Sequence, residues 1–380
     1  MTHLRPTLGV LVALCCAAST LAQPAPVAWR AVDAGVEHAH IVREAPGGGN
    51  WNVHVLRIDM RQSRLDVVHA KDAAIGLETV TAIAQRTGAI AAVNGGYFRT
   101  TGEFQGDSTG TLQIDRALWS EPDRGRASVG LVREGATTRL VFGHVVWQAS
   151  IAAGRQRRVL DGLNRARGPN EAIVFTPQFG QATVTDATGI EVVVRARRVT
   201  AVFDNAGATA IPSDGLVVSA RGDAADWVRR HLTKGAQVRV ETALVPADRS
   251  RDNPWTRAED ILGAGPKLVT AGRVDVTDVR EKMIATFAGD LHPRTAIAAL
   301  ADGRALLLVA DGRHPPERVG MALDSLARLL IELGAREAIN LDGGGSTTMV
   351  VQGKLVNVPS DVTGERPVSD AIVIRPLTAR

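Results

Sequence analysis

Residues 320–350 read GMALDSLARLLIELGAREAINLDGGGSTTMV, and the rest of the chain is best read outward from them. Over 321–333 apolar residues return at helical spacing. Ala322, Leu326, Leu329, Leu330 and Leu333 share a face, with Arg328 and Glu332 outside it. Gly334 suits the left-handed position that ends a helix. The short apolar run 338–341 reads as a buried strand. Asp342 and three glycines follow, and then 347–351 and 354–358 form a hairpin around Gln352-Gly353.

Upstream, 295–300 and 305–310 pair across Asp302-Gly303-Arg304, a good hairpin turn. A second helix is predicted over 77–86, stopped by Gly88 and followed by a buried strand over 89–93. These two stretches share a plan: helix, glycine stop, strand, then an asparagine and glycines. Gly88-AIAAV-Asn94-Gly-Gly matches Gly334-AREAI-Asn340-Leu-Asp-Gly-Gly with the same spacing from Gly to Asn. Either two ordinary helix-to-strand connections coincide, or two similar units bring Gly-rich ends to one site.

Residues 23–75 read as strands, at 51–60 and 65–69, after the Gly47-Gly48-Gly49 loop. The stretch 105–260 gives short strand signals at 128–132, 139–146, 172–176, 191–203, 216–219 and 237–244, interrupted by one helix at 224–232. Found without a linker or low-complexity break, these elements imply one large domain over 23–380. They divide it into N-terminal strands (23–75), a β-rich middle elaboration (105–260) and a core with the main motif (261–380). Because strands and helices mix without strict alternation, the expected class is α+β, mixed sheets with packed helices.

Residues 1–22 carry the marks of a signal peptide: Arg5, an apolar run over 8–19, and Thr20-Leu21-Ala22 before Gln23. That run is too short to span a bilayer, and no other stretch of the mature chain approaches that length. An exported protein, periplasmic or secreted, is expected. Both cysteines, Cys15 and Cys16, fall in this leader, so disulfides, Cys-ligated zinc and Cys nucleophiles are excluded for the mature chain. The net charge of +4 is small, and the arginine pairs lack interleaved aromatics, so nucleic-acid binding is not expected.

The chemistry concentrates in a few segments. In Asn340-Leu-Asp342-Gly343-Gly344-Gly345-Ser346-Thr347-Thr348, glycines let the backbone approach a ligand, and successive amides make an anion-binding concavity. Asp342 at the strand end is a candidate base, nucleophile or metal ligand. No Lys follows the glycines, no G-x-S-x-G frame surrounds Ser346, and no HExxH is present. Asn94-Gly95-Gly96-Tyr97-Phe98 contains the chain's one tyrosine, a ring that suits the apolar face of a sugar. Arg294, before Thr295 at a strand mouth, can take a phosphate bidentately. Asp311 ends the partner strand and is expected near Arg294. Arg366, in the loop 359–369, belongs to a lid or rim. His38-x-His40 has ligand-like spacing, but no strand-end frame holds it, so that segment is expected to be a mobile N-terminal feature.

Together AAVNGGYF (91–98), GAGPKLV (263–269), RTAIA (294–298), VADGR (309–313), the run 320–350 and PSD…ERPVSDAIVI (359–374) resemble the phosphodiester glycosidase family, in the family's order. The resemblance implies hydrolysis of an α-linked sugar-1-phosphodiester on a glycan, cell-wall polymer or exopolysaccharide. Asp342 would face the anomeric carbon. Arg294 and the Gly343–Gly345 amides would hold the phosphate, and Asn94 and Tyr97 would position the sugar. No cofactor is expected, and a divalent metal is possible but not indicated. Two rivals stay open: a metal-dependent phosphodiesterase using Asp342, Asp311 and a histidine, and a non-catalytic envelope protein that binds glycans.

Overall fold

A computed structural model describes residues 27–377, apart from 74 and 124; the leader reading of 1–22 lies outside the described residues. An eight-stranded antiparallel sheet runs in the order Arg30–Asp33, Val36–Glu44, Asn50–Ile58, Ala305–Ala310, Arg294–Leu300, Ala335–Asn340, Lys267–Thr270, Arg273–Val274. A five-stranded antiparallel sheet lies against it, ordered Lys354–Leu355, Met349–Val351, Ala91–Asn94, Asp370–Pro376, Ser63–His69.

The central strands are almost wholly apolar because both of their faces are covered. Leu56, Ile58, Ile297, Leu307, Val309 and Ile339 point one way, toward Leu65, Val67, Val93, Ile372 and Ile374 of the smaller sheet. Their alternating neighbours Val55, Ala296, Ala298, Leu306, Leu308 and Ala338 point the other way, onto Leu323, Leu326, Ala327 and Leu330 of a helix. The described residues contain three α-helices, α1 (Val80–Thr87), α2 (Asp223–His231) and α3 (Leu323–Glu332), against 25 strands. α3 covers the outer face of the large sheet, and α1 covers that of the small one through Val80, Ile83 and Ala84.

The α+β expectation is therefore corrected: the molecule is mostly β. All three helices occur where periodicity placed them, but they are outer covers. The main core is sheet against sheet, where each inward-facing strand residue meets another strand.

The middle region builds two more sheets. One has seven strands and includes the long Thr137–Ala153 and the returning Ala258–Gly263. The other has five strands, with α2 packed through Ala224, Ala225 and Val228 onto Val192 and Val218. The single strand read at 191–203 is a hairpin, Ile190–Arg195 with Arg198–Asp204. Ala196 and Arg197 turn it at φ of +45° and +59°, without the Asn-Gly that usually marks such a turn. The 38–44 segment also needs correcting. His38 and His40 sit inside Val36–Glu44, paired along nine residues with Asn50–Ile58, and their rings stack on His54.

One buried charge ties three parts together. Asp66, 2% exposed, receives Arg64, Arg375 at 2.9 Å and Arg133 of the seven-stranded sheet. Asp66→Ala is expected to cost about 3 kcal/mol, below the fully dry case because Arg64 and Arg375 are partly solvated. Thermal unfolding reads this; an unchanged melting temperature would show that the cluster contributes nothing.

Candidate active site

The two echoing units meet. Gly88 at φ +62° ends α1, and Gly334 at +100° stands between α3 and its strand. The strands end at Asn94 and Asn340, and each asparagine reaches into the other unit. Asn94 Nδ2 donates to the Asp342 carbonyl at 2.7 Å, and Asn340 Nδ2 donates to the Tyr97 hydroxyl at 3.1 Å. The Asp342 amide donates to the Gly95 carbonyl at 3.0 Å. One strand end lies in each of the two stacked sheets, so this crossing is where the sheets are sewn together.

Asn94 is fully buried. Its Oδ1 accepts from Thr295 Oγ1 at 2.8 Å and from the Thr348 amide at 3.1 Å, which makes it a clamp whose side chain burial keeps from a sugar. Thr295 and Thr347 are buried beside it, their hydroxyls 3.5 Å apart. Gly95 and Gly96 lie against Asp370, whose Oδ1 accepts the Gly96 amide at 2.6 Å. A Cβ on Gly95 would come within 2.0 Å of that oxygen, and one on Gly96 within 2.6 Å of the Gly263 carbonyl.

The three glycines after Asp342 answer to three causes. At Gly343 a Cβ would strike the Pro293 carbonyl at 2.7 Å, and Gly344 has φ +61°. Gly345 lies under an ion pair, where a Cβ would meet Arg366 Nη2 at 2.1 Å and Asp361 Oδ1 at 2.3 Å. The open row of amides read from the sequence is largely committed internally. Gly343 N–H donates to Asp342 Oδ1 at 2.9 Å, and Gly344 N–H to the Pro293 carbonyl at 2.9 Å. Arg366 binds Asp361 through two bonds of 2.7 and 3.0 Å. Arg313, exposed, closes the rim beside Gly344. Ser346 is fully buried, its hydroxyl beside the Asp342 carboxyl.

Asp342 itself is half-buried. Burial pushes its carboxyl up to about 6, against the opposing pull of the Ser346 hydroxyl, the Gly343 amide and Arg366. Tyr97 donates to the Gly265 carbonyl at 2.7 Å, and burial together with the nearby Asp342 charge pushes its phenol well up. Arg126 lies over its ring, 5.1 Å from the centroid. Sequence reasoning did not single out Arg126; it sits in the least periodic stretch, with no motif around it.

Arg294 is 1% exposed. Its Nε donates to the Met321 carbonyl at 2.9 Å, and its Nη2 to those of Phe287 and Asp290 at 2.7 and 2.8 Å. The expected two-pronged grip on a phosphate is thus unavailable, since two of its three nitrogens hold backbone. It remains a charge close enough to bias Tyr97; desolvation pulls it down to about 10, so it stays cationic at neutral pH. Asp311 does not join the group. Its strand position neighbours Arg294, but its carboxylate accepts from Asn357 Nδ2 and the Val358 amide, each at 3.1 Å, and lies 3.6 Å from Arg318. There it anchors the 356–358 turn. Among the described residues, no three His, Cys, Asp or Glu side chains converge in a way that would hold a metal.

Residues 188–375 match the phosphodiester glycosidase family. Human N-acetylglucosamine-1-phosphodiester alpha-N-acetylglucosaminidase is 41% identical over 75 residues, 20% of this chain and 14% of that protein. Two solved structures share the fold over most of the chain. A hypothetical protein from Synechocystis has a TM-score of 0.77 and 25% identity, covering 90% of this chain and 62% of its own. A putative exported protein from Burkholderia pseudomallei has a TM-score of 0.75 and 28% identity, covering 88% and 76%. The matched stretch holds Asp342, Asn340, Arg294 and Arg366, while Asn94–Tyr97 and Arg126 precede it. Over residues 188–375 the chain belongs to the phosphodiester glycosidase family.

Proposed function

We propose that this protein is an exported glycosidase that hydrolyses an α-linked sugar-1-phosphodiester of a glycan, cell-wall polymer or exopolysaccharide. The observation that carries the proposal is the crossing of two Gly-rich strand ends around one carboxylate. Asp342 is raised to about 6 and shares its surroundings with a sugar-sized aromatic, Tyr97, and with the cationic Arg294 and Arg126.

A phosphodiester oxygen is already a good leaving group, so departure depends on charge neutralisation more than on a strong acid. Arg294, fixed by three carbonyls, supplies a preorganised positive field; Arg126 is the guanidinium that faces the Tyr97 ring. Asp342, held by Gly343 N–H and by its own backbone contacts to Asn94 and Gly95, faces the anomeric carbon as nucleophile or as base for water. Tyr97, gripped by Gly265 and Asn340, forms the wall for the sugar. Export rests on the leader-like residues 1–22.

The test is the purified protein against a panel of sugar-1-phosphodiesters, with UDP-sugars and p-nitrophenyl glycosides as controls, run in ¹⁸O-water. Label is expected in the released sugar. Label in the phosphate would overturn attack at carbon, and activity lost in EDTA and restored by a divalent ion would favour a metal-dependent phosphodiesterase.

A further inference from the structure

Beyond Tyr97 the chain borders a hollow of about 590 Å³, whose lining includes Asp107, Ser108, Thr109, Glu121 and Arg126. Arg126 belongs to both places, with its guanidinium over the Tyr97 ring on one side and the hollow on the other. Among the described residues its buried Nε meets no hydrogen-bond partner, and its Nη2 stands 4.0 Å from Asp123. An unsatisfied buried guanidinium donor is costly until an acceptor arrives, and an anionic oxygen is the strongest acceptor available to it.

The floor of the hollow is bolted to the Gly95-Gly96 turn. Ser108 Oγ donates to Asp370 Oδ2 at 2.9 Å, and Asp370 Oδ1 holds the Gly96 amide. Asp107 is 4% exposed and, among the described residues, pairs with Arg99 at 3.5 Å. Burial pushes its carboxyl up to about 7, so near neutral pH it both donates to and accepts from a hydroxyl. Glu121 is pushed up by burial as well. Apart from Pro122 and Leu163 the lining is charged or hydroxylic, which suits a polyol and not an alkyl chain.

We propose that this hollow is the subsite for the acceptor arm of the diester, where Arg126 takes a phosphate oxygen and a hydroxyl-rich acceptor, a sugar or polyol, lies against Asp107, Thr109 and Glu121. The proposal rests on the phosphodiester glycosidase reading of the Asp342 site. Thr109 is the place to test it, because its contact with the Tyr97 carbonyl is made by its backbone amide and survives a larger side chain.

Two substrates with the same sugar-1-phosphate are compared, one with a hexosyl acceptor and one with methyl. Wild type is expected to favour the hexosyl diester. Thr109→Trp, checked for an unchanged melting temperature, should lose about tenfold or more in kcat/KM on it, mostly through KM, and less than about twofold on the methyl diester. Equal losses on both, or no wild-type preference, would overturn the subsite. Binding of glucose 6-phosphate, followed calorimetrically, separates the two readings. If neither diester is cleaved, the glycosidase reading fails. The hollow is still judged by whether glucose 6-phosphate binds wild type and Asp342→Asn, and binds Thr109→Trp about tenfold more weakly. No binding to wild type sinks the subsite.

Discussion

Asp342→Asn is expected to lower kcat/KM on a sugar-1-phosphodiester by about 10³-fold or more while leaving the fold intact. The amide keeps the shape of the carboxylate, and its oxygen still accepts the Gly343 N–H. What disappears is the negative charge that the reaction uses at the anomeric carbon. The pH dependence follows from the same group. The carboxyl must be ionised to act, and burial holds it up to about 6, so the wild-type rate should fall about tenfold per unit below that pH and level off above it. The stability effect has the opposite sense. An acid whose folded pKa lies above its unfolded value favours the folded state while protonated, and that contribution is lost as pH rises toward 6. At pH 7 the asparagine variant should therefore melt no lower than wild type, and it may be compared with wild type in one calorimetric scan. An active Asp342→Asn, or one that unfolds early, would remove the carboxylate from the centre of the mechanism.

Arg294→Met is expected to destabilise the protein by about 3–5 kcal/mol, the largest loss we foresee from a single change. Methionine fills similar space but returns no donor. The carbonyls of Phe287, Asp290 and Met321 are then left without the guanidinium that gathers them, and the segment from 287 to 293 loses its tie to Met321, two residues before α3. Arg294→Lys separates charge from scaffold. One ammonium cannot span all three carbonyls with the planar fork of arginine, so the lysine variant should keep more activity than methionine but recover little of the melting temperature. A methionine variant as stable as wild type would show that these bonds contribute nothing.

The local parts of this fold were legible in the chain. All three helices fall where the 3.6-residue pattern placed them, and the Gly-to-Asn echo marked two strand ends that do converge. Their assembly was not legible. Whether Leu56 or Ile372 is buried by a helix or by a facing sheet depends on which strand lies opposite, and periodicity carries no information about that partner. Hence the α+β expectation failed although its elements were sound. Neither residue of Ala196-Arg197 marks a turn, because the left-handed backbone there is imposed by the paired strands. His38 and His40 are held by the strand Asn50–Ile58, a partner that their own spacing does not encode.

The candidate site divides in the same way. Chain order alone puts a carboxylate at a strand end before three glycines, and an asparagine, two glycines and the one tyrosine at the end of another strand. Those are short-range facts of backbone freedom and hydrophobic period. Packing sets the rest: the two ends cross-link, Arg294 donates to backbone, Asp311 accepts from Asn357, and Arg126 stands over Tyr97. Each of these depends on which polar groups burial forces together, since a donor or acceptor removed from water must find its partner wherever the packed sheets bring one within reach.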